Sequence, residues 1–179
     1  MTPSLRASLT MAALALAACQ GSSSSAPVPT TDKAPSSTGK TATGAAEASA
    51  DGFVITALEP SAGDVHAALK GEVEKAKQKG LTPYVELWAT WCGPCLAIKK
   101  SMNDPRMKAA FKGAYIVQMD VDAWGSKLDG TGFSSSVIPI FYALDAEGKP
   151  SGRKIDGGAW GDNIPENMAP PLDKFFHGS

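Results

Sequence analysis

Cys92 and Cys95 lie three residues apart in the run Trp91-Cys92-Gly93-Pro94-Cys95. Two thiols at that spacing can close on one another, which makes the segment a candidate for reversible exchange between a dithiol and a disulfide. Such a pair could instead be a structural disulfide or half of a metal site. A loop this short constrains the unfolded chain very little, which argues against the structural use. A zinc site needs about four ligands, and the two histidines of the chain, His66 and His177, are remote in sequence; no metal is expected. The apolar run before the motif reads as a strand, and Pro94, Leu96 and Ile98 open a helix. Cys92 then falls at a helix N-terminus, where unpaired N–H groups and the macrodipole favour a thiolate, so it is the expected nucleophile. Cys95, one turn further on, is expected to be the more buried, resolving thiol that attacks a mixed disulfide.

Glu86 interrupts the apolar strand, an unusual place for a carboxylate. Burial would raise its proton affinity and make it a candidate proton acceptor for Cys95. The competing reading is simple alternation, with Tyr84, Glu86 and Trp88 on one solvated face. Trp91 is expected to shield the thiols and offer an apolar platform to a substrate. Trp88 and Phe141 read as core, His66 as a surface residue, and His177 as part of a frayed terminus.

The elements that must position these groups follow from hydrophobic periodicity. Residues 53–55 form a candidate first strand, and Ser61-Ala62-Gly63-Asp64 a cap box before a helix whose buried face is Val65, Leu69, Val73 and Ala76, with Gly80 as its stop. Residues 84–90 are a central strand. The helix after the motif is interrupted or re-capped at Asn103-Asp104-Pro105. Residues 115–121 and 137–144 are further strands, and the turn at Asp145-Ala146-Glu147-Gly148 leads to 151–155 as a hairpin partner. Residues 172–176 are the last turns of a helix following Pro170 and Pro171. This order describes an α/β fold, a central mixed sheet flanked by helices on both faces.

Composition limits the functional classes. The 179 residues can bury one ordinary core, and 17 basic against 18 acidic residues, with no basic run, leave no electrostatic footprint for nucleic acid. Residues 7–18 are apolar apart from Ser8 and Thr10, follow Arg6, and are too short to span a bilayer, as in a cleavable targeting segment. Leu16-Ala17-Ala18-Cys19 resembles the lipobox of bacterial lipoproteins; the resemblance implies a signal peptide over 1–18 and lipid on Cys19, whereas a plain secretory peptide would leave Cys19 discarded or free. Gln20 fits sorting to an outer membrane. From residue 20 to 52 the chain is Ser, Thr, Ala, Pro and Gly with hardly a large apolar side chain, a flexible tether spanning roughly 30 Å. The expected organisation is signal peptide 1–18, lipid-anchored linker 19–52 and folded domain 53–179, placed in the cell envelope.

Trp91-Cys92-Gly93-Pro94-Cys95 after the second strand, with Ile138-Pro139 opening a later one, resembles the thioredoxin family over the whole domain. The run 103–111 is similar to a segment of the exported, membrane-tethered reductases of that family. The resemblance implies a thioredoxin-like fold and thiol:disulfide oxidoreductase activity with no cofactor beyond the cysteine pair. It further implies protein disulfides as substrates, such as those of apocytochrome c, a membrane electron donor, and a monomer. Gly93-Pro94 is the dipeptide of reducing members, so reduction is favoured over oxidation or isomerisation; a non-catalytic adaptor of the same fold is the alternative of another class. The resemblance also implies a cis bond before Pro139 that exposes the Ile138 backbone to a substrate strand, and assigns Gly158 to close substrate approach. Trp91, Gly93, Pro94, Ile138, Pro139 and Gly158 are thus the expected substrate surface. Several positions depart from the family pattern. Glu86 stands where Asp is usual, Gln118 stands where a lysine often partners that acid, and Ile140 stands where threonine follows the proline. Residues 122–137 are rich in Gly and Ser where a helix is usual, and 161–171 form a Pro-rich insertion.

Overall fold

The computed structural model describes residues 52–134 and 136–178. The expected signal peptide 1–18, Cys19, Gln20 and the tether up to residue 51 lie outside the described residues.

Strand β1 (Val54–Ala57) leads through a 3-10 turn to α1 (Val65–Gln78), then β2 (Thr82–Trp88), α2 (Gly93–Ser101), α3 (Pro105–Phe111) and β3 (Ala114–Asp120). The single-turn α4 (Val121–Trp124) precedes β4 (Ile140–Leu144), β5 (Pro150–Asp156) and α5 (Pro165–His177). The five strands lie in the order β1-β3-β2-β4-β5. β3 runs parallel to β1 and β2, whereas β4 runs antiparallel to β2 and β5, so the sheet is mixed. β2 is central, which is why its Val85, Glu86 and Leu87 are all buried.

Period-two alternation along β2 divides the core. Val85 and Leu87 join Val65, Leu69 and Ala76 of α1 and Trp124 of α4 on one face. Tyr84 faces the other way, into Phe111, Phe141, Leu172, Phe175 and Phe176 beneath α3 and α5. The Tyr84 and Phe176 rings meet edge to face at 4.8 Å, and the Tyr84 hydroxyl donates to the Phe176 carbonyl at 2.9 Å, locking α5 onto the central strand.

Local chemistry fixes the helix ends. Asp64, rather than Ser61, caps α1: its Oδ1 accepts the Ala67 N–H at 2.9 Å, while Ser61 lies in the preceding 3-10 turn. The interruption after α2 is a re-cap, because Asp104 Oδ1 accepts the Arg106 N–H at 2.9 Å and Pro105 occupies the first turn of α3. The Pro-rich stretch 161–171 is not a loop throughout. α5 begins at Pro165 and continues through Pro170 and Pro171. Each proline removes a helical N–H, and the burial of Met168, Ala169, Leu172, Phe175 and Phe176 holds the helix despite that loss. Among its described residues, the Gly- and Ser-rich stretch after β3 holds only α4 and the 3-10 turn Gly125–Leu128. It is pinned by Trp124, whose Nε1 donates to the Leu58 carbonyl at 2.8 Å, and by Tyr142, whose hydroxyl bonds the N–H and carbonyl of Ser134.

Candidate active site

The dithiol motif spans the junction from β2 to α2. Cys92 is the N-cap of α2, and its Sγ accepts the Cys95 N–H at 3.2 Å. The two sulfurs form a disulfide with their Cα atoms 5.3 Å apart. The sequence places Cys95 deeper than Cys92, yet in this oxidised pair both are 3% exposed. The two thiols differ in surroundings instead. Cys92 stands where the helix N-terminus stabilises negative charge on sulfur, and Cys95 lines an internal cavity that Glu86 also lines.

Glu86 projects from β2 on the same face as Tyr84, a face covered by helices, and is 3% exposed; the solvated-face reading does not hold. Its register partner across β3 is Gln118, whose Nε2 donates to Glu86 Oε2 at 2.7 Å. Desolvation dominates the acid's titration and pushes it up to about 7, against the opposing pull of the Gln118 bond and the Lys99 charge. The cavity, about 100 Å³, is bounded by Glu86, Cys95, Lys99, Gln118 and the Trp88 ring. Gln118 in place of the family lysine implies an acid without a cationic neighbour. Lys99, entering from α2, supplies one.

Trp91 is 66% exposed beside the thiols, and its Nε1 donates to Asp122 Oδ2 of α4 at 2.6 Å. Asp122 is itself placed by Asp120, which caps α4 through the N–H groups of Asp122 and Ala123. The Ile138–Pro139 bond is cis, with Ile138 half-buried and Val137 49% exposed at the rim. Gly93 is exposed and Pro94 half-buried at the start of α2. Gly157 lies against Pro139: its N–H donates to the Pro139 carbonyl at 3.0 Å, and a Cβ there would stand 3.3 Å from Pro139 Cδ. Gly158 is exposed, with its N–H bonded to Asp156 Oδ1. Trp88 is half-buried and walls the cavity rather than filling the core, whereas Phe141 is fully buried.

His66 is remote from the site and bonds the Gly148 carbonyl. His177 is not frayed; it bonds Asp173 and the Lys112 carbonyl, contacts that raise its proton affinity. Among the described residues no three His, Cys, Asp or Glu side chains converge as metal ligands.

Sequence reasoning missed Lys99, Asp122 and Gly157. The spacing of Cys95 and Lys99 by four residues was available as a signal, since it puts both on one helix face; the Asp122 contact depends on the path of the chain after β3. Asp122→Ala should free the Trp91 ring and slow reduction of a model disulfide by about threefold to tenfold, corresponding to roughly 0.7 to 1.4 kcal/mol. Steady-state rates and Trp91 fluorescence check this, with Asp122→Asn, which keeps an acceptor, expected to fall in between.

The sequence has curated relatives in bacilli. It is 28% identical over 121 residues to the thiol-disulfide oxidoreductase ResA of Bacillus cereus, covering 56% of this chain and 64% of that protein. The protein of that name from Bacillus anthracis is 27% identical over the same shares. The chain thus spans just under two thirds of these relatives' length. Among solved structures, the disulphide isomerase from Xylella fastidiosa Temecula1 aligns with a TM-score of 0.45 and 21% identity, over 63% of this chain and 88% of that one. The thioredoxin sequence model matches residues 64–169, more than half of the chain. With the mixed five-stranded sheet and the cysteine pair at the mouth of α2, that match establishes that the chain belongs to the thioredoxin family.

Proposed function

We propose that the chain is an extracytoplasmic thiol:disulfide oxidoreductase that reduces protein disulfides through Cys92 and Cys95. The observation that carries this reading is the disulfide at the N-terminus of α2, beside a cavity it shares with a buried carboxyl that titrates near neutrality. The curated relatives are named thiol-disulfide oxidoreductases, which supports the reaction class.

In the reduced protein, the Cys92 thiolate attacks one sulfur of the substrate disulfide, and the other substrate sulfur leaves as a thiolate. Cys95 then loses its proton to Glu86. Its sulfur closes on Cys92, and the bond from Cys92 to the substrate breaks with its electron pair on the substrate sulfur. The substrate gains two electrons and the cysteine pair loses two. An external dithiol donor on the membrane must restore them. Trp91, Val137 and the Ile138-Pro139 backbone provide the surface on which an extended substrate segment would lie. A lipid on Cys19 and the tether would hold the domain at a membrane, with apocytochrome c cysteines among its substrates.

The measurement that decides direction is the reduction potential of the Cys92–Cys95 pair. A value near the roughly −270 mV of a reducing thioredoxin is expected, and one near the roughly −120 mV of a strong oxidant would overturn the reductase assignment. Insulin reduction by the dithiol form tests activity: complete inactivity with a reducible pair would identify a non-catalytic adaptor instead.

A further inference from the structure

Lys99 sits one helical turn beyond Cys95 on the same face of α2, and both line the cavity that reaches Glu86. Trp88 follows Glu86 by two residues on β2 and therefore shares its face of the sheet. The Lys99 Nζ lies 5.7 Å from the centroid of the Trp88 ring. A cation over an indole face is attracted by the ring quadrupole, so Trp88 steadies the ammonium at the cavity while the exposed stem of Lys99 leaves it open to water. The groups facing Glu86 are few. Cys95 and Lys99 come from α2 and neutral Gln118 from β3, while Ile55 of β1, Phe111 of α3 and Phe141 of β4 are apolar.

We propose that Lys99 is a positioning residue of the exchange reaction: its ammonium, held by Trp88 at the cavity shared by Glu86 and Cys95, favours the ionised form of the Glu86 carboxyl, the form that accepts the Cys95 proton. The assignment rests on the proton-acceptor reading of Glu86 given above. It gives the departure at Gln118 a physical compensation. The strand neighbour orients the acid by a hydrogen bond, and the charge that tunes it arrives from the helix bearing the resolving thiol. The proton transfer itself is balanced within the cavity, Cys95 thiol and Glu86 carboxylate becoming Cys95 thiolate and Glu86 carboxylic acid, with Lys99 remaining an ammonium ion throughout.

The test is a carboxyl 13C titration of Glu86 in the oxidised full chain, with the signal assigned by its loss in Glu86→Gln. Lys99→Met should raise the midpoint by about one pH unit, the effect of losing a unit charge several ångströms away through a partly hydrated path. Lys99→Arg should leave it near that of the unsubstituted protein, and Lys99→Gln substitutes for the Met variant if that fails to fold. The alkaline shift should reappear in the pH profile of disulfide reduction. A folded Lys99→Met protein with an unmoved midpoint overturns the assignment, as does an equal shift in Lys99→Arg, which would trace the effect to packing rather than charge. A Glu86→Gln protein with an unaltered rate profile would remove the proton-acceptor reading of Glu86 itself. Slowed Glu86→Gln turnover beside an unmoved Lys99→Met midpoint would remove only the role of Lys99.

Discussion

Cys95→Ser in the full chain should turn the exchange site into a trap. Cys92, as N-cap of α2, keeps the helix N–H groups that stabilise its thiolate, so the first attack on a substrate disulfide proceeds. The serine hydroxyl cannot then displace the substrate, and mixed disulfides should accumulate on Cys92. Turnover should fall to the uncatalysed background, as it should in Cys92→Ser, but the Cys92→Ser protein should collect no adducts at the same low level of substrate. Non-reducing electrophoresis of cells expressing each variant checks this, and mass spectrometry of the adducts names the substrates. Adducts should appear in the membrane fraction and move to the soluble fraction when Cys19→Ala is added. An absence of adducts with Cys95→Ser under conditions where the unsubstituted protein turns over would sink the assigned order of attack. Equal trapping by both single variants would mean that the two thiols exchange roles, an outcome their equal 3% exposure makes worth testing.

The sequence made the cysteine pair, its helix and the central strand legible because each rests on local pattern: an apolar run, a Cys-x-x-Cys spacing, a proline in the first helical turn. Burial of Glu86 was legible only as one of two alternatives, since Tyr84, Glu86 and Trp88 alternate as a solvated strand would. What decides between them is tertiary packing: Cys95 and Ile98 of α2 and Phe111 of α3 wall the cavity at Glu86, while Phe175 and Phe176 of α5 close the same sheet face over Tyr84. Lys99 was hidden for a related reason. The expected cation belonged on β3, and its disappearance there says nothing about a lysine on the facing helix. Gly157 and Gly158 are adjacent and alike in sequence; what distinguishes them is tertiary, the contact and hydrogen bond of Gly157 with Pro139 against the exposure of Gly158. The course of α5 through Pro170 and Pro171 was misread because proline argues locally against a helix, whereas five buried apolar residues on that segment argue for it at the level of packing.

Glu86→Gln should make the oxidised protein more stable at neutral pH and a poorer reductase. The stability half follows from linkage. Glu86 is buried, and its proton affinity is raised from an ordinary value of 4.5 to about 7. Below pH 4.5 the acid is protonated in both folded and unfolded chains and contributes no pH dependence. Between pH 4.5 and 7 the unfolded chain releases the proton while the folded protein retains it, so rising pH favours unfolding. Above pH 7 both are ionised and the loss is complete, at about 3 kcal/mol. Glutamine has no such titration and can still accept the Gln118 hydrogen bond. Urea unfolding at pH 4, 6 and 8 should therefore show a stability advantage for Glu86→Gln that widens across that window. The acids whose proton affinity is lowered, Asp104, Asp145 and Glu166, lose stability on acidification in both proteins and cancel in the difference. Parallel pH curves for the two proteins would refute a raised proton affinity at Glu86. The catalytic half predicts that reduction of a model disulfide slows at neutral pH, where the natural acid is partly ionised and can take the Cys95 proton. A single residue whose removal strengthens the fold and weakens the exchange reaction is hard to account for by packing. Burial alone would favour an apolar side chain at that point of β2, and the proposed proton exchange with Cys95 would give the carboxyl its purpose there.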